Sequence, residues 1–268
     1  MAPPAPSANG RVLLAVFAHP DDESLACGGL LARCASLGAV TTLLCLTRGE
    51  AGPGLEPDGE SPDDAADRRR RLGALRTREL DAAARVLGLG DVVVLDHGDG
   101  MLPWVAPERL EADIGAAIAR LRPDVVVTFG PDGLYWHPDH IAVHERTTQV
   151  VAGLGAAAPA LYYVTMPPGQ MRAVAAHAGA VTGIVPGLDD LDAFGALAEP
   201  PTLVIDAGPC AVRKLAALRC HHSQMAASPI AAIAEADAPR LLGTEHFHRA
   251  ATGAAGATFL DALSAPPG

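Results

Sequence analysis

The chain has 268 residues, of which 49% are hydrophobic and 19% are charged. This composition excludes a disordered or fibrous protein and allows one large domain or two small ones. The formal net charge is -11, so the protein surface repels the phosphates of nucleic acids and of anionic lipids. We therefore expect no nucleic-acid partner and no membrane partner.

The cysteines and the N-terminal residues indicate the compartment of the protein. The five cysteines are widely spaced and form no CxxC pair, which is typical of free thiols in a reducing compartment. Residues 1–10 lack the basic stretch of a signal peptide, and no apolar run approaches the ~18 residues of a membrane-spanning helix. We expect a cytoplasmic protein whose residues 1–10 are disordered.

Continuous apolar runs alternate with helical patterns through the first half of the chain. Apolar runs of this kind are typical of strands that are buried on both faces, and the intervening helices join them by right-handed crossovers. The sequence therefore predicts a Rossmann-like, doubly wound α/β fold with a mostly parallel sheet. We predict strands over 12–18, 40–46, 92–95 and 125–129, and helices over 24–37, 63–87 and 107–121.

The second half of the chain is less regular. It contains two clear strand patterns, over 160–164 and 202–206, and one helical pattern from 209 to about 224. We predict a smaller, irregular C-terminal portion of the same domain. We divide the chain into a disordered segment 1–10, a Rossmann-like catalytic core 11–155, a C-terminal portion 156–250 that completes the substrate pocket, and a tail 251–268.

Two of the loops that follow predicted strands share a sequence pattern, HPDD over 19–22 and HPDH over 137–140. Ligands bind at the carboxyl ends of parallel strands, so we expect both loops at one crevice. A tight turn fixed by proline brings its first and fourth side chains together. A catalytic divalent metal needs three nitrogen or oxygen ligands and an open position for water. We predict that His19, Asp22 and His140 are these ligands.

Three further side chains of the two loops have roles in such a hydrolytic site. Asp21 is adjacent to a ligand without being needed as one, which makes it the candidate general base. His137 is the candidate group that stabilises an oxyanion or protonates a leaving amine. Asp139 lies between two histidines, where a carboxylate orients an imidazole and raises its basicity.

Each loop also has a simpler interpretation. A pair of aspartates after a strand commonly caps the next helix, and an HPDH stretch commonly lies in a solvated loop. The occurrence of both patterns at carboxyl ends of one predicted sheet favours the metal site.

The stretches AHPDDESLACGG over 18–29 and WHPDH over 136–140 resemble the signatures of the PIG-L/LmbE-type N-acetylglucosaminyl deacetylase superfamily. This superfamily includes the deacetylases of the mycothiol and bacillithiol pathways. The resemblance implies a zinc-dependent enzyme with a small amino-sugar substrate. Further similar stretches are LTRGE over 46–50, RTREL over 76–80, the Asp-Gly pair at 99–100 and ALRCHHSQ over 217–224.

Carried over by position, the resemblance also implies site residues. The zinc ligands of the superfamily fall on His19, Asp22 and His140, its general base on Asp21, and its stabilising imidazole on His137. These are the residues that the chemical argument selects.

The resemblance also implies substrate contacts. A mobile tyrosine of some members falls on Tyr135, and the positions that bind sugar hydroxyls fall on Arg76 and Asp99. Glu50, the last residue of the LTRGE stretch, is expected beside them. Trp136 stands where glycine is common in the superfamily, and we expect its ring to stack on a sugar face.

These features together predict a metal-dependent hydrolase that removes an acetyl group from the amide nitrogen of an amino-sugar molecule. Two nitrogens and a carboxylate also bind iron(II) or cobalt(II), so the sequence leaves the metal open. A mycothiol-conjugate amidase or an antibiotic-glycoside deacylase is one alternative, favoured by a pocket lined with bulky apolar groups from residues 162–171. A non-catalytic sugar- or nucleotide-binding α/β domain is an alternative from another class. A homo-oligomer is also left open.

Overall fold

The apolar runs of the sequence form the central strands of a seven-stranded sheet. A computed structural model describes residues 7–53, 62–177, 191–195, 200–225 and 228–265. The strands are β1 (Val12–Phe17), β2 (Val40–Thr47), β3 (Asp91–His97), β4 (Val125–Phe129), β5 (Ala160–Thr165), β6 (Leu203–Asp206) and β7 (Thr244–Gly253). The α-helices are α1 (Asp22–Ser36), α2 (Pro62–Leu87), α3 (Pro107–Leu121), α4 (Gly133–Trp136), α5 (Pro138–Gly153), α6 (Gln170–His177), α7 (Ala211–Cys220), α8 (His222–Met225) and α9 (Ala238–Leu242).

The strand order β3-β2-β1-β4-β5-β7-β6 confirms the predicted α/β fold with a mostly parallel sheet. Strands β1 to β5 pair in parallel, with Val12 opposite Val40 and Val125 opposite Ala160. The chain proceeds from β1 outward to β2 and β3, then returns to β4 on the other side of β1. The two directions of winding meet between β1 and β4, and a crevice opens at the carboxyl ends of such strands. The HPDD stretch over 19–22 follows β1, and the HPDH stretch over 137–140 comes after β4. We call these two stretches the HPD loops.

Right-handed crossovers place the helices of the two directions on opposite faces of the sheet. On one face α1 and α2 pack together with α7, and on the other face α3 packs against α5. Among the described residues, no helix is both long enough and apolar enough to cross a bilayer.

The C-terminal portion differs from the sequence prediction in two elements. Strand β7 was not predicted, because its sequence TEHFHRAATG is polar and has few β-branched residues. It pairs antiparallel with both β5 and β6. The helix predicted over 209–224 is interrupted at His221, where α7 ends and α8 follows. Beyond β7, a 3₁₀ helix over Phe259–Leu263 buries Phe259, Leu260 and Leu263. The division of the chain at residues 155 and 250 stays a prediction.

Helix α1 contains a break at Cys27, whose φ of -149° is not helical. The break leaves the backbone N–H groups of Gly29 and Leu30 without helical acceptors, and the carboxylate of Glu245 accepts both, at 2.8 and 2.7 Å. Lys214 Nζ donates to the same carboxylate at 2.7 Å. A Cβ on Gly29 would lie 2.5 Å from that of Ala207, so this close approach of strand and helix requires glycine.

Candidate active site

The loops after β1 and β4 bring together the three predicted metal ligands. His19 Nδ1 lies 3.1 Å from His140 Nε2. The Asp22 carboxylate lies 3.3 Å from His140 Nε2 and 3.5 Å from His19 Nδ1. All three side chains are buried. We call His19, Asp22 and His140 the donor triangle.

The donor triangle has the dimensions that a divalent cation needs, and His140 and Asp22 have the protonation states of ligands. Ligand atoms about 2.0–2.1 Å from a tetrahedral ion lie about 3.3 Å from one another, which matches the separations observed. Burial lowers the pKa of His140 to about 3, so its imidazole is neutral. Burial raises the pKa of Asp22, but His140 and His19 outweigh it and hold that pKa well below its usual range. A neutral imidazole and an ionised carboxylate are ligand forms.

Outer hydrogen bonds fix the orientation of both histidines. His140 Nδ1 lies 3.0 Å from the carbonyl oxygen of Gly133, and its ring stacks on Phe129 with centroids 3.9 Å apart. His19 Nε2 lies 3.0 Å from Asp99 and 3.1 Å from Asp139. In both rings the other nitrogen therefore faces the donor triangle, which is the arrangement found in metal-binding histidines.

The protonation of His19 follows from its carboxylate neighbours. Burial lowers the pKa of His19, but hydrogen bonds to Asp139, Asp22 and Asp99 outweigh it and raise that pKa well above its usual value. Carboxylates that retain a proton on an imidazole also attract a cation in its place. The residues of the site therefore fit a divalent metal.

Two other groupings of potential ligands share His19. The ring nitrogens of His19, His137 and His140 lie within 4.8 Å of one another, as do donor atoms of His19, Asp99 and Asp139. The oxygens of Asp139 already accept backbone N–H groups from Gly100 and Leu102, at 2.8 and 3.1 Å. Asp139 thus contacts His19 from a fully buried position, whereas the sequence predicted this contact for one of the two histidines beside it, His137 or His140.

Asp21 lies beside the donor triangle with an unusual backbone. Its φ of 110° lies in the left-handed region, which a residue other than glycine adopts only when its surroundings hold it there. Arg76 Nη2 donates to its carboxylate at 3.2 Å. Burial raises the pKa of Asp21 to about 6, against the opposing charge of Arg76. Within the described chain its side chain makes no capping hydrogen bond to α1, so the helix-cap interpretation does not apply.

A cavity of about 420 Å³ opens over Asp21 and the donor triangle. A pocket of this size and mixed polarity is typical of a small-molecule site. Its walls come from both halves of the chain. The lining residues are His19, Asp21, Asp22, Leu25, Ala51, Gly52, Pro53, Arg76, Asp99, Gly100, Tyr135, His137, Gln224, Met225 and Ser228.

Two side chains of the loop after β4 face the cavity. Burial and the neighbouring His19 lower the pKa of His137, so its ring is neutral. Its Nδ1 accepts from the backbone N–H of Asp139 at 3.2 Å, which leaves Nε2 as the hydrogen-bond donor of the ring. The ring of Tyr135 packs edge-on to His137, with centroids 6.0 Å apart.

The predicted substrate contacts divide into two groups. Arg76 and Asp99 line the cavity, whereas Glu50 and Trp136 are not among the described lining residues. Glu50 accepts from the backbone N–H of Asp99 at 2.9 Å and so supports the loop that carries it. Trp136 has a positive φ of 67° and is 46% exposed. The glycine that the superfamily commonly has at this position would adopt that φ more readily.

The C-terminal portion contributes a wall of the cavity whose individual residues were not predicted from the sequence. Gln224, Met225 and Ser228 line it, and Glu79 on α2 anchors this segment by accepting from the N–H and hydroxyl of Ser223, at 2.8 and 2.6 Å. The ALRCHHSQ stretch was the available signal, but its spacing alone assigns no role. The bulky side chains of 162–171 are not among the lining residues described.

Comparison with known proteins identifies relatives over nearly the whole chain. The family model PIG-L, described as GlcNAc-PI de-N-acetylase, matches residues 14–151. The 1D-myo-inositol 2-acetamido-2-deoxy-alpha-D-glucopyranoside deacetylase of Mycolicibacterium vanbaalenii is 36% identical over 234 residues, covering 81% of this chain and 82% of that protein. A protein of the same name from Acidothermus cellulolyticus is 35% identical over 258 residues, covering 88% of each chain.

Solved structures share the fold at lower sequence identity. The N,N'-diacetylchitobiose deacetylase of Pyrococcus horikoshii superposes with a TM-score of 0.63 at 19% identity, covering 91% of this chain and 85% of that one. A 4-carboxy-2-hydroxymuconate hydratase from Pseudomonas putida gives a TM-score of 0.61 at 18% identity, covering 92% and 98%. The second protein has a different chemistry, so the fold alone does not determine the reaction.

Proposed function

Because the chain belongs to the PIG-L family and is an N-deacetylase, we propose that its substrate is 1D-myo-inositol 2-acetamido-2-deoxy-α-D-glucopyranoside and its metal zinc. The observation that carries the proposal is the donor triangle, with separations of 3.1–3.5 Å, beside Asp21 in one cavity. Relatives at 36% and 35% identity that carry this substrate in their names support its identity.

In this proposal His19, Asp22 and His140 hold the metal. A zinc ion in such a site polarises a carbonyl group and lowers the pKa of a bound water. Asp21 accepts the proton of the attacking water, because its carboxylate lines the cavity beside the triangle without belonging to it. Arg76 fixes the direction of that carboxylate by its hydrogen bond at 3.2 Å.

His137 and Tyr135 act on the other side of the reacting amide. The neutral ring of His137 has a donor nitrogen for the oxyanion of the tetrahedral intermediate, and Tyr135 adds a hydroxyl to the same wall. A proton that reaches His137 is available for the departing amine.

Arg76 and Asp99 combine support of the site with contact to the sugar. Arg76 donates to the carbonyl oxygens of Gly49 and Pro20, at 2.7 and 2.6 Å, as well as to Asp21. Asp99 faces His19 and accepts from the backbone N–H of Ala51 at 2.8 Å. Both side chains are thereby held rigidly at the cavity wall, which favours specific recognition of sugar hydroxyls.

The alternatives have less support. The hypothesis of a mycothiol-conjugate amidase or an antibiotic-glycoside deacylase was favoured by bulky apolar groups from 162–171 at the cavity. Tyr162, Met166 and Met171 are instead buried in the hydrophobic core. A non-catalytic domain does not require a general base beside a complete ligand set. The free cysteines at 27, 34, 45, 210 and 220 support a cytoplasmic location.

Acetate release from 1D-myo-inositol 2-acetamido-2-deoxy-α-D-glucopyranoside tests the proposal. The assay compares metal-stripped protein, protein restored with zinc, iron(II) or cobalt(II), and an Asp21→Ala variant. The Asp67→Ala change on α2, at a residue that does not line the described cavity, is the matched control. We expect turnover only in metal-restored protein and a loss of at least 10²-fold in Asp21→Ala. Metal binding without turnover of this substrate would refute the substrate assignment, and protein without stoichiometric metal would refute the mechanism.

A further inference from the structure

Two charged side chains lie fully buried beneath the loop that carries Asp21. Glu23 is in the first turn of α1, and His221 follows the last residue of α7. His221 Nε2 lies 2.9 Å from Glu23 Oε1. Neither side chain is exposed, and neither lines the described cavity or belongs to the donor triangle. A buried ion pair that contacts no substrate needs another explanation.

The second oxygen of Glu23 connects the pair to Asp21. Glu23 Oε2 accepts from the backbone N–H of Asp21 at 3.0 Å, while Ser24 Oγ donates to Glu23 Oε1 at 2.6 Å. The backbone of Asp21 has the left-handed φ of 110°, which is strained for an aspartate. A carboxylate that accepts this N–H holds the peptide in the orientation that directs Asp21 into the cavity.

The carboxylate of Glu23 depends in turn on His221. A buried carboxylate without a partner is strongly unfavourable. His221 compensates the charge, because its Nε2 lies 2.9 Å from Glu23 Oε1, and the carboxylate raises the pKa of the imidazole against the effect of burial. His221 Nδ1 has no hydrogen-bond partner in the described part of the chain, so the ring makes one hydrogen bond there, to Glu23.

We propose that His221 and Glu23 are positioning residues for Asp21: the imidazole fixes the carboxylate, and the carboxylate fixes the backbone of the general base. This inference rests on the proposed role of Asp21. It gives the C-terminal portion a part in the reaction, because the segment that begins at His221 continues into the cavity wall at Gln224 and Met225. The wall that surrounds the substrate and the support of the base therefore belong to one segment.

Two substitutions at His221 separate positioning from packing. His221→Phe keeps a ring of similar volume and removes the N–H donor, whereas His221→Gln keeps an amide N–H for Glu23. His222→Phe is the matched control, because His222 is the neighbouring histidine and is exposed. Acetate release, metal content after dialysis and thermal unfolding are measured for all three and for the wild type.

We expect His221→Phe to lower kcat on the order of 10–100-fold, the effect typical of residues that orient a site group. KM and metal content stay at wild-type values, His221→Gln recovers most of kcat, and His222→Phe is unchanged. A folded His221→Phe protein with full kcat would overturn the proposal, as would a loss of activity that follows loss of metal.

Two further measurements keep the test decisive. If His221→Phe does not fold, Glu23→Leu decides, since leucine has no oxygen to accept the N–H of Asp21, whereas a glutamine amide can rotate and present its oxygen to that N–H; full kcat in Glu23→Leu overturns the proposal. A crystal structure of the folded variant reports the φ of Asp21 whether or not the wild type releases acetate. An unchanged φ near 110° overturns the positioning role. An inactive wild type refutes only the proposed function.

Discussion

The two HPD loops have almost the same sequence, and the fold uses their residues differently. In the first loop, over 19–22, positions one and four belong to the donor triangle and position three lines the cavity as Asp21. In the second loop, over 137–140, position one faces the cavity and position three is the fully buried Asp139. Only the fourth position, which is Asp22 in the first loop and His140 in the second, belongs to the donor triangle in both.

The backbone produces this difference. Asp21 precedes α1 with a φ of 110°, so its side chain is directed away from the helix. In the second loop His137 has an extended backbone with a φ of -69°, and its side chain accepts from the N–H of Asp139 as a helix cap. Asp139 is then the second residue of α5 and is directed toward Gly100 and His19. A shared motif therefore predicts a shared location more reliably than shared roles.

We expect the largest effect on metal content and acetate release at the second HPD loop, where its two histidines differ. His140→Ala removes a donor of the triangle, and we expect loss of bound metal and of detectable acetate release. His137→Ala leaves the triangle intact, and we expect one metal per chain with reduced kcat. Metal analysis after dialysis measures both. Loss of metal in His137→Ala combined with its retention in Asp22→Ala would instead identify a three-histidine site.

The third position of the first loop has the next largest effect. Asp21→Asn keeps the shape of the side chain and removes the basic oxygen, so we expect kcat to fall by about 10²–10⁴-fold. Metal content remains at one per chain, because Asp21 is outside the donor triangle. Steady-state kinetics on zinc-restored protein measures the change. A wild-type kcat in this variant would assign the proton transfer to another group.

The third position of the second loop has a smaller effect. Asp139→Asn still accepts one hydrogen bond but weakens the orientation of His19, so we expect a decrease in metal affinity or activity of about 10–100-fold. Competition with a chelator measures the affinity. If Asp139→Asn were as inactive as Asp21→Asn with its metal retained, the two aspartates would not have the different roles that the structure gives them.

The prolines at the second positions have the smallest effect. Pro20→Ala and Pro138→Ala each free a backbone that proline fixes in the unfolded chain, and we expect each to lower the free energy of unfolding by about 0.4–1 kcal/mol. Urea denaturation measures this change. Equal, small losses would show that proline does not cause the difference between the loops. A large loss of kcat in one variant alone would locate the difference at its proline.

The sequence predicts those parts of the site that depend on short stretches of chain. Strands β1 and β4 are continuous apolar runs; the first HPD loop follows β1 directly, and the second comes after β4 beyond the short helix α4. The adjacency of the two loops therefore follows from the topology of parallel sheets. The ligands His19, Asp22 and His140 could be proposed on this basis before their separations were known.

The remaining parts depend on contacts between distant residues. Glu23 and His221 are 198 positions apart, and a histidine in a helical pattern does not indicate its partner. In strand β7 the buried position 245 is a glutamate, which accepts backbone N–H groups of α1, so the apolar alternation of a strand is not visible there. The exclusion of Glu50 from the cavity is equally a result of packing, since its position in the chain directly after β2 favoured the opposite prediction.

The break in α1 also affects how the protein is made. The N–H groups of Gly29 and Leu30 are satisfied only once Glu245, which is 216 residues beyond Gly29, has been synthesised. The contact between Glu23 and the N–H of Asp21 likewise depends on His221. On a ribosome, domains assemble from the N-terminus, and contacts of large sequence separation form slowly. The first catalytic loop to leave the ribosome is thus among the last parts of the molecule to reach its final conformation. Nascent chains that stop before β7 contain all three residues of the donor triangle yet lack Glu245, the acceptor for the N–H groups at the break in α1.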